Sequence, residues 1–236
     1  IDPVFSSSAS PISVIGPKAF KYTNHYKPEQ FQNIDAILIS HDHYDHLDKQ
    51  SIKFFKDKVE QFIVPLGVGK IISKWGVNPK KISEVNWSDT LIVKSKIKII
   101  AETGRHFSGR GIANRNSTLW CSFIIESNNS KIFFSGDSGY GPHFKRIGKE
   151  YGPFDLAFIE CGQYNENWPY IHMMPEETAQ ASHDLDADIF VPIHWGKFAL
   201  SLHPWDEPPK RAEIAAQKKE ISILIAQIGK RNFLYA

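Results

Sequence analysis

The hexapeptide His41-Asp-His-Tyr-Asp-His46 follows directly on Ile34-Asp-Ala-Ile-Leu-Ile-Ser40, a run that reads as a buried strand ending where the histidines begin. Imidazoles and carboxylates are borderline ligands suited to zinc and related divalent ions. His41, His43, Asp45 and His46 together put four such donors on one short loop at a strand end. A histidine-rich polar turn is the bland alternative, and the order and density of the donors disfavour it. One loop of this kind can serve two neighbouring cations, and a fold that uses it must bring further donors to the same place.

Three isolated residues are candidates for that role. His106 lies in the glycine-flanked loop Gly104-Arg-His-Phe-Ser-Gly-Arg110, after the strand expected at Lys96 to Ala101. Asp137 follows the apolar run Lys131-Ile-Phe-Phe-Ser-Gly136, and a carboxylate can bridge two cations where an imidazole cannot. His194 ends the apolar strand Asp188-Ile-Phe-Val-Pro-Ile193. Any one of them alone reads more naturally as a structural residue.

Taken together, the set resembles the metallo-β-lactamase superfamily, in which motifs at strand ends build a two-metal site. The resemblance implies one metal held by His41, His43 and His106, a second held by Asp45, His46 and His194, and Asp137 bridging them. It implies a four-layer αββα sandwich of the α/β class. Antibiotic-hydrolysing members usually carry cysteine where this chain has Asp137, which argues against a β-lactamase. The stretches Asn116-Ser-Thr-Leu-Trp120, Gly136-Asp-Ser-Gly-Tyr140, Gly162-Gln-Tyr164, His172-Met-Met-Pro-Glu-Glu177 and His194-Trp-Gly196 look like the branch containing N-acylphosphatidylethanolamine-hydrolysing phospholipase D. The chain departs from that branch at Gln163 and at Asn167-Trp168. The opening Ile1-Asp-Pro-Val-Phe5 looks like the family's segment just after its first hairpin strands, so those strands are expected to be missing from this sequence.

The function implied is hydrolysis by a water held between two divalent ions, zinc first and manganese or iron as alternatives. A small-molecule or lipid phosphodiester is the expected substrate. Asp45 is expected to ligate a metal and orient the hydroxide. His172 is the candidate general acid outside both metal shells, with a helix-entry histidine of no catalytic part as its plain alternative. Tyr164, Trp168, Tyr170 and Trp195 are expected to line an apolar pocket. Competing readings are a lactonase or other carbonyl hydrolase, resembling ascorbate phosphate lactonases, and a metal-binding protein without turnover.

Composition narrows the rest. A chain of 236 residues can form one large domain, and with no linker and with ligand candidates spread from His41 to His194, residues 1–236 read as a single domain. A net charge of +2 does not suggest a nucleic-acid groove. Two cysteines make no disulfide framework, and no apolar run is long enough for a membrane span, so a cytoplasmic setting is expected. Strands and helices interleave throughout, with helices expected at Asp48 to Lys58, Gly67 to Trp75 with Gly76 as its stop, Pro142 to Tyr151 with Gly152 as its stop, Pro175 to Leu185 and Pro208 to Lys219, and a hairpin at Asn128-Asn129, because asparagine accepts positive φ at little cost.

Overall fold

The structure is a computed structural model, and it describes all residues except 13–15, 22, 23, 25, 112 and 233–236. Strands β1 (Ile34–Leu38), β2 (Val59–Pro65) and β3 (Ile82–Val85) form one parallel sheet in the order β1-β2-β3. The second sheet runs β10-β9-β8-β7-β6-β5-β4, from β4 (Thr90–Val93), β5 (Ile97–Glu102), β6 (Ser122–Glu126), β7 (Lys131–Phe134), β8 (Phe154–Glu160), β9 (Ala187–Ile193) and β10 (Ser222–Ile223). Its β4 to β7 half is antiparallel and its β7 to β10 half parallel.

Side-chain alternation along the strands builds the layers. In β2, Phe62 and Val64 pack with Ile52, Phe55, Val68 and Ile72 of the helices α1 (Lys49–Phe55) and α2 (Val68–Lys74). The intervening Ile63 turns the other way, to meet Ile99 and Phe123 of the second sheet. Ile100 and Ile124, the next residues along β5 and β6, face the far side. There they meet α3 (His143–Tyr151), α4 (Pro175–Leu185) and α5 (Glu207–Lys219) through Phe144, Ile147, Ala181, Leu185 and Ala216. Helices, sheet, sheet, helices: this is the αββα order expected from the resemblance.

Local signals set the helix ends. Asp48 caps α1, its carboxylate accepting from the backbone N–H groups of Gln50 and Ser51. Gly76, expected as the stop of α2, has φ +96. Gly152, expected to stop α3, works differently: its backbone is extended, and a Cβ there would lie 2.5 Å from the carbonyl oxygen of Gly148. The turn joining β6 to β7 forms where Asn128 and Asn129 suggested it, yet neither asparagine takes the positive φ that motivated the expectation. Among the described residues, no helix is long and apolar enough to cross a membrane.

Strand direction then places the site. Two antiparallel steps, β5 to β6 and β6 to β7, restore the original direction, so β5, β7, β8 and β9 all end at one edge of the second sheet. The segments carrying His106, Asp137, Glu160 and His194 follow or finish those four strands.

Candidate metal centre

The seven residues singled out as ligands come together in two sets that share Asp137: His41, His43, His106 and Asp137, and Asp45, His46, Asp137 and His194. In the first set His41 Nε2 lies 2.9 Å from His43 Nδ1, and His43 Nδ1 lies 3.3 Å from His106 Nε2. Asp137 Oδ2 is 3.7 Å from both His41 Nε2 and His106 Nε2. In the second set His46 Nε2 is 3.1 Å from His194 Nε2, which is 3.2 Å from Asp45 Oδ2. His46 Nε2 is also 3.2 Å from Asp137 Oδ1.

These spacings test whether a cation fits. Tetrahedral bonds of about 2.0–2.1 Å place donors about 3.3–3.4 Å apart; these separations run from 2.9 to 3.7 Å in the first set and, with His46 Nε2 3.7 Å from Asp45 Oδ2, from 3.1 to 3.7 Å in the second, on either side of that value. Further, Asp137 Oδ1, buried 3.2 Å from His46 Nε2, makes no well-formed hydrogen bond, the state of an oxygen that a cation would take up. The donor chemistry and the spacing both suit divalent ions.

Three of the five rings are held from behind. His41 Nδ1 is 3.0 Å from Ser40 Oγ, and His106 Nδ1 donates to the carbonyl oxygen of Ile171 at 3.0 Å. His46 Nδ1 donates to Asp2 Oδ2 at 2.8 Å. Such contacts orient the rings and turn Nε2 of His41, His46 and His106 toward the space between the donors, where a cation would displace any proton they carry. Asp42, inside the motif, and Asp48, two residues past it, take other work. Asp42 accepts from Gly109 N at 2.7 Å, and Asp48 is spent on Ser6, Ser51 and the start of α1.

His194 is placed by backbone conformation. It has φ +70, outside the region that residues with a Cβ prefer, and its carbonyl is packed so closely on Gly162 that a Cβ there would lie 1.6 Å from it. Gln163 Nε2 donates to that same carbonyl at 3.2 Å and to Phe198 O at 3.3 Å. Gln163, a point of departure from the phospholipase branch, is thus an anchor of the His194 loop.

The charges are interdependent. Burial pushes His41 well below the ordinary imidazole range, with His46 and His43 adding to it, and burial pushes His106 down to about 3 against the pull of Asp137. Burial would lower His46 and His194 too, but Asp137 and Asp45 beside them raise both, His194 to about 10. Conversely, burial would raise Asp45 and Asp137, and the neighbouring His46 and His194 hold both below the usual carboxylate range. The cluster therefore demands positive charge, which protons supply when nothing else does.

Glu160, the last residue of β8, is the functional residue that the sequence reading missed. It is wholly buried; Oε1 accepts from His172 Nδ1 at 3.0 Å and lies 3.5 Å from His194 Nδ1, while Oε2 accepts from Met173 N at 2.9 Å. An acid ending an apolar strand, as Asp137 follows one, was the available signal. His172 itself stacks on His194 with ring centroids 5.5 Å apart and meets His106 edge-on at 5.3 Å.

The four expected pocket aromatics do not gather. Tyr164 is buried, stacked on His203, with its hydroxyl donating to Glu207 at 2.6 Å, so it does not wall an open pocket. Trp168 donates to Gln163 O, and Tyr170 is exposed beneath Arg105. Trp195 stacks on Trp205 and lines a cavity of about 630 Å³ with Phe20, Ile225 and Ile228. A second cavity, of about 730 Å³, lies beside Tyr44, Trp75 and Arg110; the donor histidines line neither. Cys161 is fully buried, and burial pushes its thiol up, away from reactivity.

Comparison with known proteins gives the same picture. Residues 1–195 match the family described as Beta-lactamase superfamily domain. An uncharacterized protein of Mycobacterium tuberculosis is 40% identical over 98% of this chain, which spans 62% of that relative's length. N-acyl-phosphatidylethanolamine-hydrolyzing phospholipase D 1 of Caenorhabditis elegans is 31% identical, covering 97% of this chain and 68% of its own. Among solved structures, the metallo hydrolase Igni18 of Ignicoccus hospitalis superposes with a TM-score of 0.66 at 17% identity, covering 86% of this chain and 80% of its own. With a fold, a donor cluster and relatives in agreement, the chain belongs to the metallo-β-lactamase superfamily, on the branch that resembles N-acylphosphatidylethanolamine-hydrolysing phospholipase D.

Proposed function

We propose that the two donor sets hold two divalent ions, zinc first, and that the protein hydrolyses a phosphodiester, its substrate a small molecule or a lipid. The observation that carries this reading is the sharing of Asp137, whose Oδ2 faces His41 and His106 while Oδ1 faces His46. When bound, such a pair of ions supplies an activated water at neutral pH and offsets negative charge on the substrate. The C. elegans relative named for phospholipid hydrolysis supports the choice of a diester over other esters.

The chain's own groups have distinct parts. Asp45, poised 3.2 Å from His194 Nε2, accepts a hydrogen bond from the attacking water and sets its direction. Glu160 engages His172 Nδ1, which leaves Nε2 as the nitrogen that can carry a proton to the leaving-group oxygen. The same carboxylate compensates the imidazolium before transfer. His172 is only partly buried, so a substrate can reach it.

The test is a substrate panel on the metal-loaded, full-length protein: bis-p-nitrophenyl phosphate, N-acylphosphatidylethanolamine and a set of lactones. Turnover of the diesters is the expected result. Lactone turnover alone would replace the phosphodiesterase reading with a carbonyl hydrolase, and full metal occupancy without any turnover would leave a binding protein.

A further inference from the structure

The two loops that carry the histidines of the first donor set, His41 to His46 and the segment with His106, are joined by contacts in which no donor takes part. Arg110 Nη1 donates to the carbonyl oxygens of Asp42, near the start of the motif, at 2.6 Å and of Leu47, just after it, at 2.8 Å. Its guanidinium lies over the ring of Tyr44 at 4.0 Å and near that of Trp75 at 5.1 Å. The strap is reciprocal: Tyr44 Oη donates to the carbonyl oxygen of Arg110 at 2.7 Å, and Gly109 N donates to the carboxylate of fully buried Asp42 at 2.7 Å.

We infer that Arg110 is a positioning residue for the candidate metal centre, its planar guanidinium locking the His41–His46 loop to the His106 loop so that His43 and His106 meet around one cation. The loop carbonyls that it satisfies lie outside the regular strands and helices, and a partly buried loop must find donors for them somewhere. A planar cation is the group that can donate in its plane and stack on aromatic faces at once. Lysine can reach a carbonyl but cannot be held flat between Tyr44 and Trp75. His43 Nδ1 and His106 Nε2, 3.3 Å apart, come from the two loops that Arg110 joins. A loss of registry between those loops separates these two donors while leaving His46 and His194, held by Asp2 and Gly162, where they are.

The inference rests on the reading that these histidines bind metal, and one experiment separates the two. Metal-free full-length protein is titrated with Zn²⁺, and with Co²⁺ followed by its visible spectrum, for wild type, Arg110→Ala and Arg110→Lys. Thermal melting of each metal-free form is measured alongside. If wild type binds no metal, the metal-centre reading fails and the inference falls with it. If wild type binds, Arg110→Ala is expected to weaken one of the two binding steps by about 10- to 100-fold, as for other residues that orient ligands from behind. Arg110→Lys is expected to fall between. Arg110 lines the 730 Å³ cavity, so millimolar guanidinium can reach the space left in Arg110→Ala; it should restore affinity where sodium at equal ionic strength does not. A folded Arg110→Ala with wild-type affinity overturns the inference. So does an affinity loss that tracks melting and ignores guanidinium. Should Arg110→Ala not fold, Arg110→Lys decides: unchanged affinity overturns the role given to the planar guanidinium, and weakened affinity in a folded protein supports it.

Discussion

Asp2 and His46 stand 44 positions apart in the chain and meet at 2.8 Å, carboxylate to Nδ1. The same carboxylate accepts from Ser40 N at 2.7 Å and Ser40 Oγ at 2.6 Å, and Ser40 Oγ touches His41 Nδ1. One acid thus orients a histidine in each donor set. In Asp2→Asn the amide nitrogen can donate to Nδ1, which moves the proton of His46 to the nitrogen meant for metal. Affinity should fall by about 10- to 100-fold with little change in the metal-free fold, and metal titration against melting checks it.

Asp137→Ala should cost both metals, because its two oxygens face separate donor sets. His106→Ala should cost mainly one. Elemental analysis of protein purified without chelator reads the difference; identical stepwise loss in the two variants would show that Asp137 is not the bridge.

His172→Gln should lower turnover by about 100-fold or more while metal content stays near wild type, as for loss of a general acid. Glu160→Gln should follow it in turnover, since it removes the charge that supports the imidazolium through His172 Nδ1. Metal loss in His172→Gln would instead make that residue a ligand.

Chelation should lower the melting temperature, because removal of the cations leaves Asp2, Asp45, Asp137 and Glu160 crowded at one partly or wholly buried site. Acid should act in the same direction. Without metal, His46 is raised above the ordinary imidazole value, despite burial, by Asp137 and Asp45, so at neutral pH it carries a proton that must leave when a cation takes Nε2. Binding therefore releases protons, and affinity rises with pH. Titration calorimetry in buffers of different ionisation enthalpy measures the release; proton uptake on binding would contradict this account.

Gly162→Ala should displace His194 more than it harms the core. The added Cβ would lie 1.6 Å from the His194 carbonyl, a backbone atom that cannot rotate away. Loss of the second metal with the first retained is the expected pattern by elemental analysis.

The layers were legible through the interleaving of strand and helix runs and through the resemblance that the donor set carries; the structure then sorts the two faces of each strand, Phe62 and Val64 against Ile63, or Ile99 against Ile100. The histidine motif was legible because it is local, with four donors on one loop. The helix and strand spans came within a few residues of those expected, while the pocket aromatics did not converge. Tyr164 and Trp168 spend their polar atoms on Glu207 and Gln163, partners that no spacing in the sequence reveals.

By itself, then, the sequence determined the donor types, the strand ends that carry them and the layered fold, since each is written in short stretches of chain. Only the tertiary structure decided which groups stand behind the donors. Asp2 reaches His46, Glu160 reaches His172, and Arg110 spans to Asp42 and Leu47 through packing of segments far apart in the chain. An acid or arginine has no periodicity of its own, so its role is fixed by whichever buried polar atom the fold leaves in need of a partner.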